Sequence, residues 1–429
     1  MEMIVRPEVM GLLVLLLCVI LFLTKWISLM ATGLLGCILM VLLGVGSFEE
    51  VFSGFSSSIV LLMASAMVVG IAMFKTGAAQ IFGKITIRFS RRNERVFLLL
   101  ICTLTGLLSM FLANTALIAS FMPIIDSVCR MSSQMKRRNH VLPLALAAMF
   151  GGASTLIGTT PQLTANALLS KMTDIEMGMW ELTGPGLSIF AMYLIFLYFI
   201  GFKDGMKIWG DREEVELCSN GSDEELNGVD YDRKKLTVMF TIVILMTISY
   251  MFSILPTAMT AMTAAMLCVL TGLCTTEDIV KKLHWESVIF LATCLGLANG
   301  LTVSGAGELV GNMVISTLGN VDSPFIIYTV FVILTLAISQ FVTNSTALII
   351  VLPIALSMCK SYGYSPMAFT IGITLAASYA ALTPLAASQI TMTEVAGYDF
   401  ADYYKYGWKI TVIACLGIIF LVPQFFPLQ

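Results

Sequence analysis

The stretch SMFLANTALIASFMPI, residues 109–124, returns 230 positions later as SQFVTNSTALIIVLPI, residues 339–354. The two strings keep their polar and proline positions at identical spacing, although the apolar residues between them have changed. The matching pairs are Ser109 with Ser339, Asn114 with Asn344, Thr115 with Ser345, and Pro123 with Pro353. A polar cluster has thus been built twice inside apolar segments, and we expect the two copies to form two halves of one site.

Composition places the chain among membrane proteins. Hydrophobic residues make up 58% of the 429 residues, charged residues make up 12%, and the mean hydropathy is +0.91. A soluble domain carries about a quarter charged residues. Because a membrane-spanning helix needs roughly 20 apolar residues, the chain has room for about ten crossings and no separate soluble domain. We therefore expect an all-α polytopic protein of the cell membrane that is not an enzyme.

Other classes of function find little support. Arg6 is the only base before the first apolar segment, so no cleavable signal peptide is expected. The ten cysteines contain no CxxC pair and fall mostly in apolar runs, so they are expected to be small buried side chains. The absence of a basic block argues against a nucleic-acid partner, and no cofactor is expected.

The repeat extends well beyond the two polar strings. Residues 59–79 resemble residues 288–308, and the runs 144–162 and 373–389 take the same place after each string. Internal repeats of this kind are typical of secondary transporters, whose sites lie where the repeats meet. The predicted organisation is a first repeat over 1–202 with a hairpin at 96–129 and a broken helix at 141–168, a hydrophilic linker at 203–236, and a second repeat over 237–429 with a hairpin at 324–359 and a broken helix at 366–395.

Basic residues around the first string indicate that both its ends face the cytoplasm. They are Lys84, Arg88, Arg91, Arg92 and Arg95 before it, and Arg130, Lys136, Arg137 and Arg138 after it. A re-entrant hairpin with Asn114 at mid-membrane explains this better than two full spans, or than polar residues that only cap helices in water. Five full crossings in each half then make the second repeat insert upside down. Both termini would lie outside, with Lys281 and Lys282 inside.

The apolar segments carry almost no charged residues away from their ends, so a carboxylate proton relay is not expected. Hydroxyls, amides and carbonyls freed at helix breaks remain, and these are suitable ligands for sodium. We expect such breaks at Gly151, Gly152, Gly158 and Pro161 in the first half and at Pro384 in the second. Half-helix N-termini would offer partial positive charge to an anion. An anionic substrate with sodium ions would leave the site nearly neutral.

These features resemble the divalent-anion/sodium symporter family, which transports dicarboxylates, citrate and sulfate. In that family each hairpin tip bears a Ser-Asn-Thr motif, and each later helix breaks at a Gly-Thr-Pro-Pro or Ala-Thr-Pro-Pro stretch. Here the tips read ANT at 113–115 and TNS at 343–345, and the first break reads TLIGTTPQ at 155–162. GYDFADYYKYG at 397–407 is similar to the family's GYxFxDxxKxG segment. The resemblance covers nearly the whole chain.

The resemblance implies a site and a mechanism. One sodium would lie near Ser109, Asn114 and the carbonyl of Gly158, and a second near Ser339, Thr343, Asn344 and the carbonyl of Ala386. Substrate would touch Asn114, Thr115, Thr159, Asn344, Ser345 and, where the family has a Thr, Ala387 or Ser388. The family is dimeric, and its hairpins and broken helices move as an elevator against a scaffold.

The chain departs from the family pattern at two places. Ala113 replaces a tip Ser, and the second break reads PLAASQ without Thr-Pro-Pro. A succinate-like dicarboxylate is the first expectation for the substrate, with citrate and sulfate as further candidates. An arsenite or other oxyanion permease and an anion exchanger of the same architecture stay open. A channel or a receptor would need a continuous polar stripe or a soluble domain, and the sequence shows neither.

Overall fold

The computed structural model is an all-α membrane protein. It describes residues 7–24, 26–77, 94–115, 117–118, 121–122, 125, 129, 135–209, 232–252, 254–283, 285–305, 323–383 and 387–429. Within these ranges, four helices are both long and apolar enough to span a membrane: Phe48–Lys75, Thr183–Trp209, Asn344–Tyr362 and Ala401–Phe425. Six further apolar helices are shorter. The total of ten crossings stays a prediction.

The order of the helices repeats along the chain. The first half contains α1 (Pro7–Thr24), α2 (Leu29–Leu42), α3 (Phe48–Phe52), a 3₁₀ turn (Ser53–Ser56), α4 (Ser58–Lys75), α5 (Glu94–Ser109), α6 (Arg138–Gly152), α7 (Thr160–Thr173) and α8 (Thr183–Phe196), which continues through a π turn (Leu197–Gly201) into α9 (Phe202–Trp209). The second half contains α10 (Arg233–Met251), α11 (Thr257–Leu270), α12 (Thr276–Lys282), α13 (Trp285–Val303), α14 (Pro324–Ser339), α15 (Asn344–Tyr362), α16 (Pro366–Ser378), α17 (Ser388–Thr391), a 3₁₀ turn (Met392–Ala396) and α18 (Phe400–Phe425).

The two short helices α3 and α12 begin with the same capping box. The Ser47 hydroxyl accepts a hydrogen bond from the Glu50 N–H at 3.3 Å, and the Glu50 carboxylate accepts one from the Ser47 N–H at 2.8 Å. Thr275 and Asp278 make the same pair at 3.2 and 2.9 Å. A capping box satisfies backbone N–H groups that the start of a helix leaves without partners. A short helix with the same cap therefore precedes α4 in one half and α13 in the other.

Corresponding helices make reciprocal contacts across the halves. Helix α4 packs against α11, and its counterpart α13 packs against α2; within each half, α5 packs against α6 and α14 against α16. Glycines allow α3 and the 3₁₀ turn after it to approach α13 closely, because a β-carbon on Gly54 would lie 2.0 Å from the Ala292 carbonyl oxygen. One on Gly296 would lie equally close, 2.0 Å, to the Val51 carbonyl oxygen. The orientation of each half relative to a membrane stays a prediction.

A buried aromatic stack fixes the position of α6. The ring of Phe150 lies 4.9 Å from that of Tyr193 on α8 and 4.4 Å from that of Tyr379, which follows α16. Such stacked pairs add to the energy of burying the rings. The stack therefore holds the end of α6 beside the end of α16, where the two chain segments leave their helices.

The linker begins later than predicted. Residues 202–209 form α9 because its apolar side chains anchor it, and Trp209, 1% exposed, donates a hydrogen bond to the Asn139 side chain at 3.0 Å. Asp204 on the same helix forms an ion pair with Lys409 of α18. At the other end, Asp232 caps α10. Residues 210–231 lie outside the described residues.

The GYDFADYYKYG segment holds the start of α6. The Tyr398 hydroxyl donates a hydrogen bond to the Arg138 carbonyl and accepts one from the Leu142 N–H at 3.1 Å. In return, the Arg138 guanidinium donates to the Ala396 carbonyl at 2.9 Å. These bonds join the second half to the first helical turn of α6. The segment therefore anchors the helix whose other end leads into the first break.

Candidate functional site

The first half of the site is built where α5 ends. Ser109, the last residue of α5, is buried, and its hydroxyl donates a hydrogen bond to the side-chain oxygen of Asn114. Asn114 is 6% exposed, and its NH2 group has no hydrogen-bond partner among the described residues. A buried amide donor without a partner costs about 1–3 kcal/mol. A ligand with an acceptor atom would remove that cost.

Two glycines let the break between α6 and α7 pass close to Asn114. A β-carbon on Gly152, the last residue of α6, would lie 2.6 Å from the Asn114 oxygen. One on Gly158 would lie 2.0 Å from the Gly152 carbonyl oxygen. Pro161 then restarts the helix in its first turn, where its missing N–H is not needed. Ser109, Asn114, Gly158 and Thr159 are consequently brought together, as the resemblance implied for the first sodium and part of the substrate site.

The second half of the site repeats this plan with different partners. Asn344 begins α15, and its NH2 group donates to the Ser378 carbonyl at 3.4 Å, while its side-chain oxygen is buried without a partner among the described residues. The Ser339 hydroxyl donates to the carbonyls of Leu336 at 3.0 Å and Ala376 at 3.4 Å. The two asparagines therefore present opposite groups: Asn114 has a spare donor, and Asn344 has a spare acceptor.

Each break is tied to the end of the preceding hairpin helix by a threonine. The Thr155 hydroxyl donates to the Met110 carbonyl, and the Thr383 hydroxyl donates to the Gln340 carbonyl. Met110 and Gln340 occupy the same position in the two strings. Gln340 adds a second link, because its side-chain oxygen accepts a hydrogen bond from the Leu382 N–H at 2.9 Å.

Gln162 connects the two halves. Its side-chain oxygen accepts a hydrogen bond from the Thr159 hydroxyl, and its NH2 group donates to the Ser378 hydroxyl at 3.2 Å. Ser378 in turn offers its carbonyl to Asn344. A continuous chain of hydrogen bonds therefore runs from the first break to the second tip.

Two cavities lie between the tips and the breaks. The larger, about 790 Å³, is lined by residues 113–115 and 158–159. The smaller, about 300 Å³, is lined by residues 343–345, Ser378 and Ala387. Four residues line both cavities: Thr159, Thr160, Ser287 and Gln389. Ligand pockets of small molecules have about this size, and the predicted substrate contacts divide between the two.

The cavities differ in the charged residues around them. Lys75, the last residue of α4, and Lys282, the last residue of α12, line the larger cavity, and Glu286 lines the smaller one. Both lysines contact the carboxylate of Asp278, Lys282 at 3.3 Å. The hydrogen bond from Lys75 is the main cause that lowers the pKa of Asp278 below its ordinary value. Asp278 is therefore ionised at neutral pH.

Some predicted residues cannot be placed. Pro384 and Ala386 lie outside the described residues, so the carbonyl expected for the second sodium has no position. Ser388 begins α17, and only its backbone is described. Thr343 caps α15 by accepting a hydrogen bond from the Thr346 N–H at 3.3 Å, and its hydroxyl lies 2.7 Å from that of Thr346.

The sequence reasoning missed several residues that line or link the cavities. They are Gln162, Gln340, Gln389, Glu286, Ser287 and Lys75. Three of them are glutamines within the repeated runs, and a polar side chain in an otherwise apolar run was the available signal. The sequence contains no comparable signal for the pairing of Lys75 and Lys282 with Asp278.

The donor set suits hard cations and anions. Among the described residues, no group of three or more His, Cys, Asp or Glu side chains is placed to hold a metal ion. The oxygen atoms available at the tips belong to hydroxyls, amides and carbonyls, which are neutral, hard ligands suited to a monovalent cation such as sodium. Amide NH2 groups and the hydroxyl hydrogens can bind carboxylate oxygens.

Comparison with known proteins agrees with a transporter. A family model described as citrate transporter matches residues 19–342, which is more than half of the chain. The sodium-dependent dicarboxylate transporter SdcS of Staphylococcus saprophyticus is 24% identical over 398 residues, covering 85% of this chain and 75% of that protein. The uncharacterized transporter sll0640 of Synechocystis is 30% identical over 178 residues, which is 42% of this chain and only 29% of that protein.

Solved structures share the fold at low sequence identity. The YdaH transporter of Alcanivorax borkumensis matches with a TM-score of 0.63 at 13% identity over 98% of both chains. MtrF of Neisseria gonorrhoeae matches with a TM-score of 0.59 at 13% identity over 100% of this chain and 96% of that one. Because the family model matches more than half of the chain, the chain is a multi-pass transporter of the plasma membrane and not an enzyme. On the family match, it belongs to the citrate transporter family.

Proposed function

We propose that this secondary transporter couples sodium to the movement of a small divalent anion, most simply a dicarboxylate. The observation that carries the proposal is the pair of tip asparagines, which line two adjoining cavities with a spare amide donor on one side and a spare amide oxygen on the other. The donor suits a carboxylate and the oxygen suits a cation. The similarity to SdcS, a sodium-dependent dicarboxylate transporter, supports the same assignment.

An elevator-type cycle is the mechanism we propose for this transport. The cavities lie between the tips and breaks on one side and residues of α4 and α13, such as Met67 and Phe290, on the other. Helices α4 and α13 are held by α11 and α2, which makes them a suitable fixed frame. Movement of the tips and breaks against this frame would carry the ligands across. A homodimer follows from the family resemblance and belongs to the same proposal.

Uptake into proteoliposomes tests the function. Purified protein should accumulate radiolabelled succinate when an inward sodium gradient is present, and uptake should fall to background when choline replaces sodium. No inward proton gradient should be needed, because the tips and breaks offer no carboxylate as a proton relay. Competition by citrate, malate and sulfate would then define the preferred anion.

The same experiment separates the alternatives. Sodium-independent exchange of external succinate for succinate loaded inside would indicate an anion exchanger and would contradict sodium coupling. Arsenite flux that dicarboxylates do not inhibit would indicate an oxyanion permease and would contradict the substrate class. Asn114→Ala protein provides the negative control in each case.

A further inference from the structure

Three charged side chains from both halves of the chain meet at the larger cavity. Lys75 ends α4, and Asp278 and Lys282 lie on α12, about 200 positions further along the chain. The side chains of Lys75 and Lys282 are 39% and 58% exposed, whereas that of Asp278 is 14% exposed. Two ammonium groups thus share one carboxylate, which leaves a net positive charge at the group.

The Asp278 oxygen that Lys75 contacts also serves the cap of its own helix. This oxygen accepts hydrogen bonds from the Thr275 N–H at 2.9 Å and the Thr275 hydroxyl at 2.7 Å, which complete the capping box of α12. Among the described residues that line the larger cavity, Lys75 and Lys282 are the charged ones. The wall of this cavity is therefore cationic, and Asn114, whose buried NH2 group has no partner among the described residues, lines the same cavity.

We propose that Lys75 and Lys282, drawn together by Asp278, form an anion-attracting wall of the larger cavity, which holds a small dianion before or after it contacts the first tip. Charges of one sign in a cleft with apolar walls focus the electric field and raise the local concentration of the opposite ion. Here Met63, Met67 and Phe74 supply such walls. By the predicted topology this wall faces the cytoplasm, so it serves the anion on that side. The inference rests on the proposed anion transport.

A structural role for the same ion pairs makes a different prediction. If the group only joins α4 to α12, removing any one of the three charges should change the attraction of anions to the cavity in the same direction. If it attracts anions, Lys75→Gln and Lys282→Gln should weaken the attraction, whereas Asp278→Asn should strengthen it by exposing both ammonium groups. Asn at position 278 keeps an oxygen that can accept the Thr275 hydrogen bonds, so the cap of α12 survives the change.

Charged thiol reagents measure this field without reference to the substrate. Ala113 is exposed and lines the larger cavity, and Ala113→Cys would report there. The measured quantity is the ratio of modification rates by an anionic sulfonatoethyl and a cationic trimethylammonioethyl methanethiosulfonate. Lys75→Gln or Lys282→Gln should lower this ratio by about threefold to tenfold at low salt, and Asp278→Asn should raise it by a similar factor. All of these differences should shrink at high salt.

Lys281→Gln is the matched control. Lys281 forms an ion pair at 2.6 Å with Glu277, which lies one turn earlier on α12. Lys281 does not line the larger cavity. Its removal should leave the ratio unchanged. Protein without the added cysteine gives the background, and Met67→Cys provides a second reporter in the same cavity.

An unchanged ratio in both lysine variants, or a fall in the ratio with Asp278→Asn, would overturn the proposed wall. Either result would leave sodium-dependent uptake of succinate untouched. Conversely, absence of sodium-dependent uptake with the expected shifts in the ratio would keep the wall and reject the proposed function. The two failures are therefore distinguishable.

Discussion

Asn114 and Asn344 occupy the same position in the two strings but make different hydrogen bonds. Ser109 donates to the oxygen of Asn114, and Asn344 donates its NH2 group to the Ser378 carbonyl. The resemblance implied both a sodium contact and a substrate contact for each residue, because the repeat makes their positions equal. The structure shows that their neighbours leave a donor free in one half and an acceptor free in the other. The duplicated asparagine thus has a different free group in each half.

Substitution of the asparagines should reveal this difference. Asn114→Asp replaces the free donor with negative charge, so substrate affinity should fall more than sodium affinity. Asn344→Ala removes the free oxygen, so sodium affinity should fall by about tenfold to a hundredfold, which corresponds to about 1–3 kcal/mol. Sodium and succinate titrations on the purified variants would measure both. If both variants kept unchanged affinity for sodium and for succinate, the proposed site would be wrong.

Gly158 should tolerate no side chain. In Gly158→Ala the new β-carbon would meet the Gly152 carbonyl oxygen at 2.0 Å, and backbone cannot retreat as a flexible side chain can. We expect a loss of about 1–3 kcal/mol in the free energy of unfolding, together with loss of transport. Gly178→Ala is the control, because its nearest neighbours would lie at 3.8 Å. Thermal denaturation of both variants in detergent would show whether Gly158 alone is sensitive.

At the scale of the elements, the threonine bonds fix each break to its hairpin. Thr155→Val and Thr383→Val keep the shape of the side chain but leave the carbonyls of Met110 and Gln340 without their donors. Each should cost about 1 kcal/mol in stability and reduce ligand affinity, because the break loses its fixed distance from the tip. Thr→Ser at either position retains the hydroxyl and should restore both. Equal stability of the Val and Ser variants would contradict this role.

The elements show how far sequence reasoning reaches. Repeated polar residues at fixed spacing predicted the tips, and Gly152, Gly158 and Pro161 predicted the first break, since local backbone chemistry depends on neighbours in the chain. The ion pair of Lys75 with Asp278 could not be predicted in the same way, because apolar periodicity carries no information on which distant segments meet. The linker was predicted to begin at residue 203, but residues 202–209 are helical, for a related reason. Trp209 is buried by tertiary contacts although its neighbours in the chain are charged.

For the whole molecule, the central prediction is the inverted orientation of the two halves. Residues 84–95 and 130–138 should face the cytoplasm, and residues 320–324 and 360–365 should face outward. Arg92→Cys should therefore resist an impermeant maleimide in intact cells, whereas Tyr362→Cys should react. Permeabilised cells provide the control for reactivity at position 92. Labelling of position 92 from outside would contradict the topology and the inverted repeat with it.

The hydrogen-bond chain through Gln162 has a thermodynamic consequence. Because Thr159, Gln162, Ser378 and Asn344 are joined in series, a ligand that orders the first break also orders the carbonyl to which the second tip is bound. The second ligand then loses less conformational freedom on binding, which is positive cooperativity without any large movement. Such linkage is reciprocal: whatever factor sodium contributes to the affinity for the anion, the anion returns to sodium. In the proposed sodium-coupled transport, coupling between the two ions would thus begin in the resting site, before either is carried across.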